Sequence, residues 1–322
     1  MKTIRWGIIG CGNVTEVKSG PGFQLAEHSE LVAVMRRNAR LAEDYAKRHG
    51  VPRWYDDADR LIADPEVDAV YVATPPDSHL EYAARAAAAG KPVYVEKPMA
   101  LNYAQCEAML DACRTAGVPL FVAYYRRALP RFLHIKRLIE DGAIGQVRFV
   151  HTRQTKKLTE RADALPWRLD PSVSGGGYFF DLASHTLDVL DFLLGPIRSA
   201  SGQSSNLGGA YTAEDTVSGV YEFESGVQGT GTWCFCGYEN VDVNEIVGDL
   251  GKLTFSTFGH EPIVQTTAAG VTAHPFEAPK HIQQPLIQTI VDDLLGIGKC
   301  ASTGASAART SRIMDEIVGN RR

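Results

Sequence analysis

No apolar run in the chain approaches the roughly 18 residues that a membrane-spanning helix needs, so no segment reads as a span. There is no excess of basic charge either. Its 33 Lys and Arg stand against 38 Asp and Glu, a net charge of −5 with no basic stripe, and nothing points to a nucleic-acid partner. Six cysteines are scattered among 322 residues and make no C-x-x-C pair, which excludes a disulfide framework and leaves a reduced, cytoplasmic protein as the expectation. Cys106 and Cys113 share one helical face, and Cys234 and Cys236 alternate along a strand. H-E-x-x-H is absent, so no metal is expected, and without G-x-S-x-G a Ser–His–Asp hydrolase has no nucleophile elbow. Lys2 and Arg5 flank an N-terminal apolar segment, but it is short and leads into a glycine turn, so it reads as a first strand and not a signal peptide.

What the chain does contain is the composition of a globular protein, 44% hydrophobic and 22% charged, at a length that suggests two domains. The first, residues 1–124, alternates strand and helix. Strands are expected at Ile4–Ile9, Leu31–Met35, Arg53–Tyr55, Ala69–Ala73, Val93–Val95 and Pro119–Ala123, with a helical pattern in four of the five connections. Most are continuous apolar runs, as a parallel sheet covered on both faces requires. Ser78-His79-Leu80-Glu81 and Asn102-Tyr103-Ala104-Gln105 have the form of capping boxes. In the second domain, residues 125–322, a helix is expected near 130–141 and a strand near 147–153. A helix near 181–194 then precedes strands near 199–205, 216–223, 226–234, 241–247 and 252–256. Two closing helices are expected near 283–295 and 306–317. Strands in close succession imply a mostly antiparallel sheet, so the fold class is α/β with a Rossmann-type first domain and an α+β second domain.

The organising stretch is Gly7-Ile8-Ile9-Gly10-Cys11-Gly12-Asn13-Val14-Thr15. An apolar strand, a glycine turn and a helix start make a phosphate cradle: Gly10 permits the tight turn, and Gly12 lets the backbone approach a pyrophosphate. The pattern is G-x-G-x-x-T, with the branched Thr15 where a third glycine would pack closest to the strand. An ordinary strand-to-helix turn has the same outline. Gly20-Pro21-Gly22 should break the first helix after one or two turns. Two other strand ends are informative, Ala73-Thr74-Pro75-Pro76 and Val95-Glu96-Lys97-Pro98, because ligands of open α/β sheets sit beyond the carboxyl ends of the strands. Lys97 stands either at the mouth of that crevice or on a solvated loop. The second strand ends in Arg36-Arg37-Asn38, without the carboxylate that an NAD ribose asks for. Two guanidiniums suit a 2′-phosphate and favour NADP, unless both point into solvent.

In the second domain Gly175-Gly176-Gly177 offers a backbone able to pass close to a ligand, and Asp181 and His185 follow at i, i+4 spacing. Imidazole beside carboxylate is a competent proton acceptor; a capping Asp and a buried, satisfied His fit the same spacing. Trp167 could present its ring face to a ligand or lie simply in the core.

The glycine turn, Glu96-Lys97-Pro98, and G-G-G-x-x-x-D-x-x-x-H at 175–185 together resemble the glucose–fructose oxidoreductase, inositol dehydrogenase and MocA family (Gfo/Idh/MocA) over essentially the whole chain. The resemblance implies a Rossmann domain followed by a domain built on a large open sheet through which family members commonly oligomerise. It implies NAD(P)-dependent oxidation or reduction of a sugar, polyol or related small alcohol. It makes Lys97, Asp181 and His185 the catalytic trio, supports a cis Pro98, and puts Tyr124, Arg126, Trp167 and Arg168 where family members line the substrate pocket. Cofactor contacts are then expected at Gly10, Gly12, Asn13, Val14, Arg36, Arg37, Thr74, Pro75, His79, Glu96 and Lys97. Thr15 departs from the glycine or alanine often found there, so a slightly wider pyrophosphate turn is expected. The expected protein is an NADP-dependent oxidoreductase, with NAD possible. A homodimer or homotetramer is expected, since an exposed sheet face with Val217, Val227, Trp233 or Phe235 would want a partner; the sequence does not fix which way these residues face. A dinucleotide-sensing regulator and an NAD-dependent glycoside hydrolase of the same fold are the alternatives.

Overall fold

The computed structural model describes residues 2–159 and 165–319. The chain forms two compact units, residues 1–128 with 279–308, and residues 129–278 with 309–322. The expected division kept all of 125–322 together. Instead the segment 279–308 belongs to the first unit, because it carries an apolar face that this unit buries.

The first unit runs β1 (Ile4–Ile9), α1 (Asn13–Val17), α2 (Gly20–Leu25), β2 (Ser29–Met35), α3 (Ala39–His49), β3 (Arg53–Tyr55), α4 (Ala58–Ile62), β4 (Ala69–Val72), α5 (His79–Ala88), β5 (Val93–Val95), α6 (Tyr103–Ala116) and β6 (Leu120–Val122). All five connections contain helix, one more than the pattern showed. The strands form a parallel sheet in the order β3-β2-β1-β4-β5-β6. The order reverses between β1 and β4, which opens a crevice beyond their carboxyl ends. The central strands are buried along almost all of their length, hence their apolar sequence, broken only at the half-buried Arg5 of β1.

The Gly20-Pro21-Gly22 break has a packing cause. A Cβ at Gly20 would lie 2.2 Å from the Thr15 carbonyl oxygen and 2.4 Å from Tyr45 Oη, and one at Gly22 would lie 2.9 Å from Ile287 Cδ1. Pro21 sits in the first turn of α2, where a missing N–H costs nothing. The chain thus restarts as a second helix close against α1 and against the later helix Gln284–Leu294, whose Leu286, Ile287, Ile290 and Val291 are buried. Of the two expected capping boxes, neither is complete. Asn102 Oδ1 accepts from Gln105 N–H at 2.9 Å, but Gln105 Oε1 returns to Leu101 N–H. Ser78 turns its hydroxyl back to Thr74 Oγ1 and the Pro75 carbonyl, because a 3-10 turn at Pro76–Ser78 precedes the helix.

The second unit begins with α7 (Pro130–Glu140) and β7 (Val147–Lys157). A short helix α8 (Pro171–Ser174) follows, then a π-turn (Phe179–Ala183) that leads directly into α9 (Ser184–Leu194). Then come β8 (Ile197–Ser205), β9 (Thr216–Phe223), β10 (Gln228–Gly237), β11 (Val241–Gly248), β12 (Gly251–Phe255), β13 (Ile263–Thr267) and β14 (Gly270–His274). After α10 (Gln284–Leu294), which belongs to the first unit, α11 (Gly304–Val318) closes the described chain. The eight strands lie in the order β14-β13-β12-β11-β7-β10-β9-β8, antiparallel except for β7 with β10. β13 and β14 were not expected from the sequence: their residues are partly exposed and show no alternation.

One face of this sheet is the core. Val217, Trp233 and Phe235 are fully buried, Trp233 edge-on to Phe179 at 5.2 Å and Phe235 against Tyr178 at 5.5 Å. They therefore do not form the exposed face expected of them, and Val227 lies in the turn before β10. Period-two alternation places them together on one side but does not say which side the helices cover. The outward side carries Ser218, Val220, Thr230 and His151, with Val220 54% and Phe149 46% exposed. Among the described residues no helix is long and apolar enough to cross a membrane.

Candidate active site

In the first unit three strand ends converge. Gly10 has φ +91°, which L side chains rarely adopt, and a Cβ there would meet Thr74 Cγ2 at 2.7 Å. The N–H groups of Gly10 and Cys11 both reach the Met35 carbonyl, which joins the turn to the end of β2. Thr15 does not widen the turn but closes it: its buried hydroxyl accepts from Gly12 N–H at 3.0 Å and donates to Gly12 O at 2.9 Å. The donors at the start of α1 that lack an intrahelical acceptor are those of Asn13 and Val14. A Cβ at Gly12 would meet only the Gly10 oxygen, at 3.8 Å, so the space above the turn is open. These features fit a dinucleotide pyrophosphate. Arg36 and Arg37 are exposed at the end of β2, and the Arg36 charge is near enough to bear on the Cys11 thiol, which burial pushes up to about 11.

Thr74 and Pro75 are half-buried in the loop after β4. His79 departs from the expected cofactor contact. It is fully buried, with Nε2 2.7 Å from the Thr74 carbonyl and Nδ1 3.1 and 3.2 Å from the carbonyls of Pro98 and Met99. The imidazole ties the loop after β4 to the loop after β5, and burial lowers its pKa. Glu96 is likewise turned inward. Its Oε1 accepts from Tyr71 Oη at 2.5 Å and from Gln283 Nε2 at 2.7 Å, and its Oε2 from Lys97 N–H at 3.1 Å. Gln283 Oε1 in turn accepts from Tyr94 Oη at 2.9 Å. Burial and the nearby carboxyl hold the Tyr71 phenol well above its usual range, so it stays a donor. The backbone of Lys97 is thus fixed from below, and the Lys97–Pro98 peptide is cis. Gln283 was missed by the sequence reading: it lies 187 residues from Glu96, and nothing local marks it. Tyr124 is fully buried within the hydrophobic cluster of this unit, and the buried Arg126 guanidinium lies 4.9 Å over the Tyr125 ring.

In the second unit the structure brings together Trp167, Arg168 and Asp181. Arg168 lies 4.4 Å over the Trp167 ring, and its Nε is 3.4 Å from Asp181 Oδ2. Trp167 is 38% exposed, which rules out the core alternative. The helix expected from Asp181 is not regular. Asp181 lies in the π-turn and His185 in the first turn of α9, so the α-helical phase that aligned them in sequence does not hold across the junction. His185 is buried, its ring edge-on to Phe258 at 5.7 Å.

The next residue, Thr186, ends a buried hydrogen-bond chain. Thr152 Oγ1 donates to Asn244 Oδ1 (2.8 Å), Asn244 Nδ2 to Thr257 Oγ1 (2.9 Å), and the Thr186 and Thr257 hydroxyls are 3.0 Å apart. The start of α9 is thereby pinned to the sheet. The three glycines are required by packing within this unit. Gly175 has φ +83° at the end of α8, and a Cβ at Gly177 would lie 2.6 Å from the Glu214 carbonyl oxygen; the buried Glu214 carboxyl accepts the Gly177 N–H at 2.9 Å.

Residues 4–124 match an oxidoreductase family with an NAD-binding Rossmann fold, and residues 132–254 match the GFO/IDH/MocA C-terminal domain. The chain is 40% identical to Oxidoreductase P35 of Formosa agariphila over 321 residues, 98% of each chain. It is 32% identical to 1,5-anhydro-D-fructose reductase of Ensifer adhaerens over 225 residues, 69% of this chain and 67% of the other. The fold superposes on aldose-aldose oxidoreductase from Caulobacter crescentus, crystallised with glycerol, with a TM-score of 0.86 at 26% identity, covering 98% of this chain and 96% of that one.

The Glu96 cluster generates a stability prediction. Gln283→Leu removes one donor from a buried carboxyl and the acceptor of Tyr94, and should cost about 1–3 kcal/mol. Gln283→Glu, which sets a second carboxyl against the first, should cost more. Urea denaturation midpoints measure both; an unchanged midpoint in the Leu variant contradicts the assigned role.

Proposed function

The chain belongs to the Gfo/Idh/MocA family of NAD(P)-dependent oxidoreductases, and from that membership we propose that it transfers a hydride between NADP and a sugar, polyol or related small alcohol or carbonyl. The observation that carries this reading is the Trp167–Arg168–Asp181 cluster beside the start of α9. An exposed indole, a guanidinium and a carboxylate are the groups that stack on and hydrogen-bond a polyhydroxylated ring. The names of relatives, an anhydrofructose reductase and an aldose-aldose oxidoreductase, agree with that substrate class.

The nicotinamide supplies the hydride donor or acceptor when bound. His185 exchanges a proton with the substrate oxygen. Its placement on a helix start pinned by four buried polar side chains limits the reorientation that proton transfer would otherwise need. Asp181, held by Arg168, keeps a negative charge in that neighbourhood that favours the imidazolium. Lys97, on a backbone fixed by Glu96, stabilises negative charge as it develops on the reacting oxygen. Gly10, Gly12, Asn13 and Val14 receive the pyrophosphate, Thr74 and Pro75 border the cofactor, and Arg36 and Arg37 receive the 2′-phosphate.

Lys97→Met and His185→Ala should each lower turnover by about 10²–10⁴-fold with cofactor binding little changed. Near wild-type kcat in either variant contradicts the assigned role. A charge-assisted contact to the 2′-phosphate is worth about 1.5–3 kcal/mol, roughly a 10- to 150-fold preference. Arg36→Asp should therefore erode or invert the ratio of kcat/KM for NADPH over NADH, and a wild-type ratio at or below one sinks the NADP assignment. The same reading includes a homo-oligomer formed through the outward face of the second sheet, where Phe149 and Val220 are exposed. Light scattering at micromolar concentration should report a dimer or tetramer, and a monomer counts against it.

A further inference from the structure

The second unit carries an open pocket of about 440 Å³ against the inward face of β7 and β11, within the range of small-ligand sites. Leu182, between Asp181 and His185 in the π-turn, forms one apolar wall; Phe235 and Phe258 form the others. Most of its polar groups are engaged by the fold. Asp242 accepts from Ser256 Oγ and from the N–H groups of Thr257 and Phe258. Asn240 Oδ1 accepts from Lys157 N–H at 2.9 Å, and the Lys156 ammonium lies 4.2 Å over the Tyr178 ring.

Gln154 is different. It is only 6% exposed, it lines the pocket, and its Oε1 has no hydrogen-bond partner. It stands directly opposite Asp242 across the β7–β11 pair, but a carboxylate only accepts and cannot satisfy that oxygen, and Asp242 takes its own donors from the segment 256–258. A buried carbonyl oxygen without a donor is unfavourable, and native proteins leave few of them. Leu or Met would fill the same length of side chain without that penalty. The oxygen gains a partner when the carboxamide turns into the pocket toward something that donates to it.

The chemistry of the carboxamide narrows the ligand. Its two ends lie in one plane, an acceptor and a donor side by side, and match two hydroxyls on adjacent carbons. A carboxylate or phosphate would instead set a lone pair against Oε1 and a second negative charge beside Asp242. The apolar walls suit the C–H faces of the same ligand. We propose that Gln154 is a specificity-determining residue that reads a vicinal pair of hydroxyls on the substrate, away from the carbon that reacts, so that the enzyme requires a neutral polyhydroxylated compound and rejects simple carbonyls. This rests on the reading that His185, which shares the Phe258 wall, serves that substrate.

Calorimetry on the full chain, saturated with NADP, tests it with D-glucose, D-xylose, D-mannitol and myo-inositol as probes, and with 2-deoxy- and 3-deoxy-D-glucose as the analogues lacking a hydroxyl. At least one polyol should bind wild type, and its Kd should rise about 10- to 100-fold in Gln154→Leu. Where glucose is that polyol, one deoxy analogue should bind wild type and Gln154→Leu equally weakly. Ligand-free Gln154→Leu should melt at or above the wild-type Tm, the opposite of what removal of a structural hydrogen bond does. The proposal is overturned if Gln154→Leu binds the polyol with wild-type Kd, if the ligand-free variant melts well below wild type, or if no polyol binds wild type. Binding needs no hydride transfer, so turnover of His185→Ala reports on the catalytic assignment separately from this result.

Discussion

A carboxyl group buried at the end of β5 is the constraint around which the first unit is arranged. Glu96 takes Tyr71 from β4, Gln283 from the segment before α10 and the N–H of Lys97, three donors from three parts of the chain. Burying such a group is tolerable only where donors surround it. The donors are themselves held. Tyr71 stacks on Tyr94 at 4.6 Å and meets Phe23 of α2 at 5.2 Å, and Phe23 meets Trp6 at 4.9 Å. Gln283 N–H bonds the Lys18 carbonyl, and His281 Nδ1 lies 2.7 Å from that of Val17, at the end of the helix that begins in the glycine turn. The turn that would cradle a pyrophosphate and the backbone that presents Lys97 are therefore parts of one rigid network, and the return of residues 279–308 to this unit is what completes it.

How much of this can be read in the sequence depends on whether the physics is local. Strand edges at the centre of the first sheet are legible because strands buried on both faces read as near-continuous apolar runs: β1, broken only at Arg5, and β5 have the bounds expected of them, as does the edge strand β3, whose residues are not buried. Gly10 is legible because its φ excludes other residues. Thr15 is misleading for the opposite reason: the sequence shows its branch, which looks like an obstacle, and hides its hydroxyl, which closes the turn on Gly12. His79 and Glu96 stand beside the crevice in sequence and point away from it in space, because the loops after β4 and β5 need internal ties before they can present Thr74 or Lys97 to anything.

The second unit is less legible because its key positions depend on phase. A π-turn between Asp181 and His185 changes which residues share a face, and no residue type announces it. Strand alternation groups Trp233 and Phe235 correctly with each other and leaves their facing open, since an α+β sheet has one covered face and the strands themselves do not say which one the helices cover. The glycine triplet was legible as a place of close approach, but what approaches is the chain's own segment at Ala213 and Glu214. The β13–β14 hairpin, exposed for most of its length, has no pattern to read.

Two side chains on β7 bring out the distinction between polar groups that hold a fold and those that await a ligand. Thr152 and Gln154 are two residues apart, face the same way and are almost fully buried. Thr152 begins a chain through Asn244 and Thr257 to Thr186 in which each link has its partner, and that chain is what a fold requires of polar groups in its interior. Gln154, one step further toward the strand's end, has Asp242 across from it, and its Oε1 has no partner. The strand thus passes from a position where burial is compensated by the protein to one where it is not. That change occurs where the apolar wall shared with His185 begins. A sequence scan sees a Thr and a Gln at alternate positions on a strand and has no means to rank them. What separates the two is the donor: Thr152 sits in a chain of matched donors and acceptors, while the Gln154 oxygen faces across the strand pair a carboxylate that can only accept.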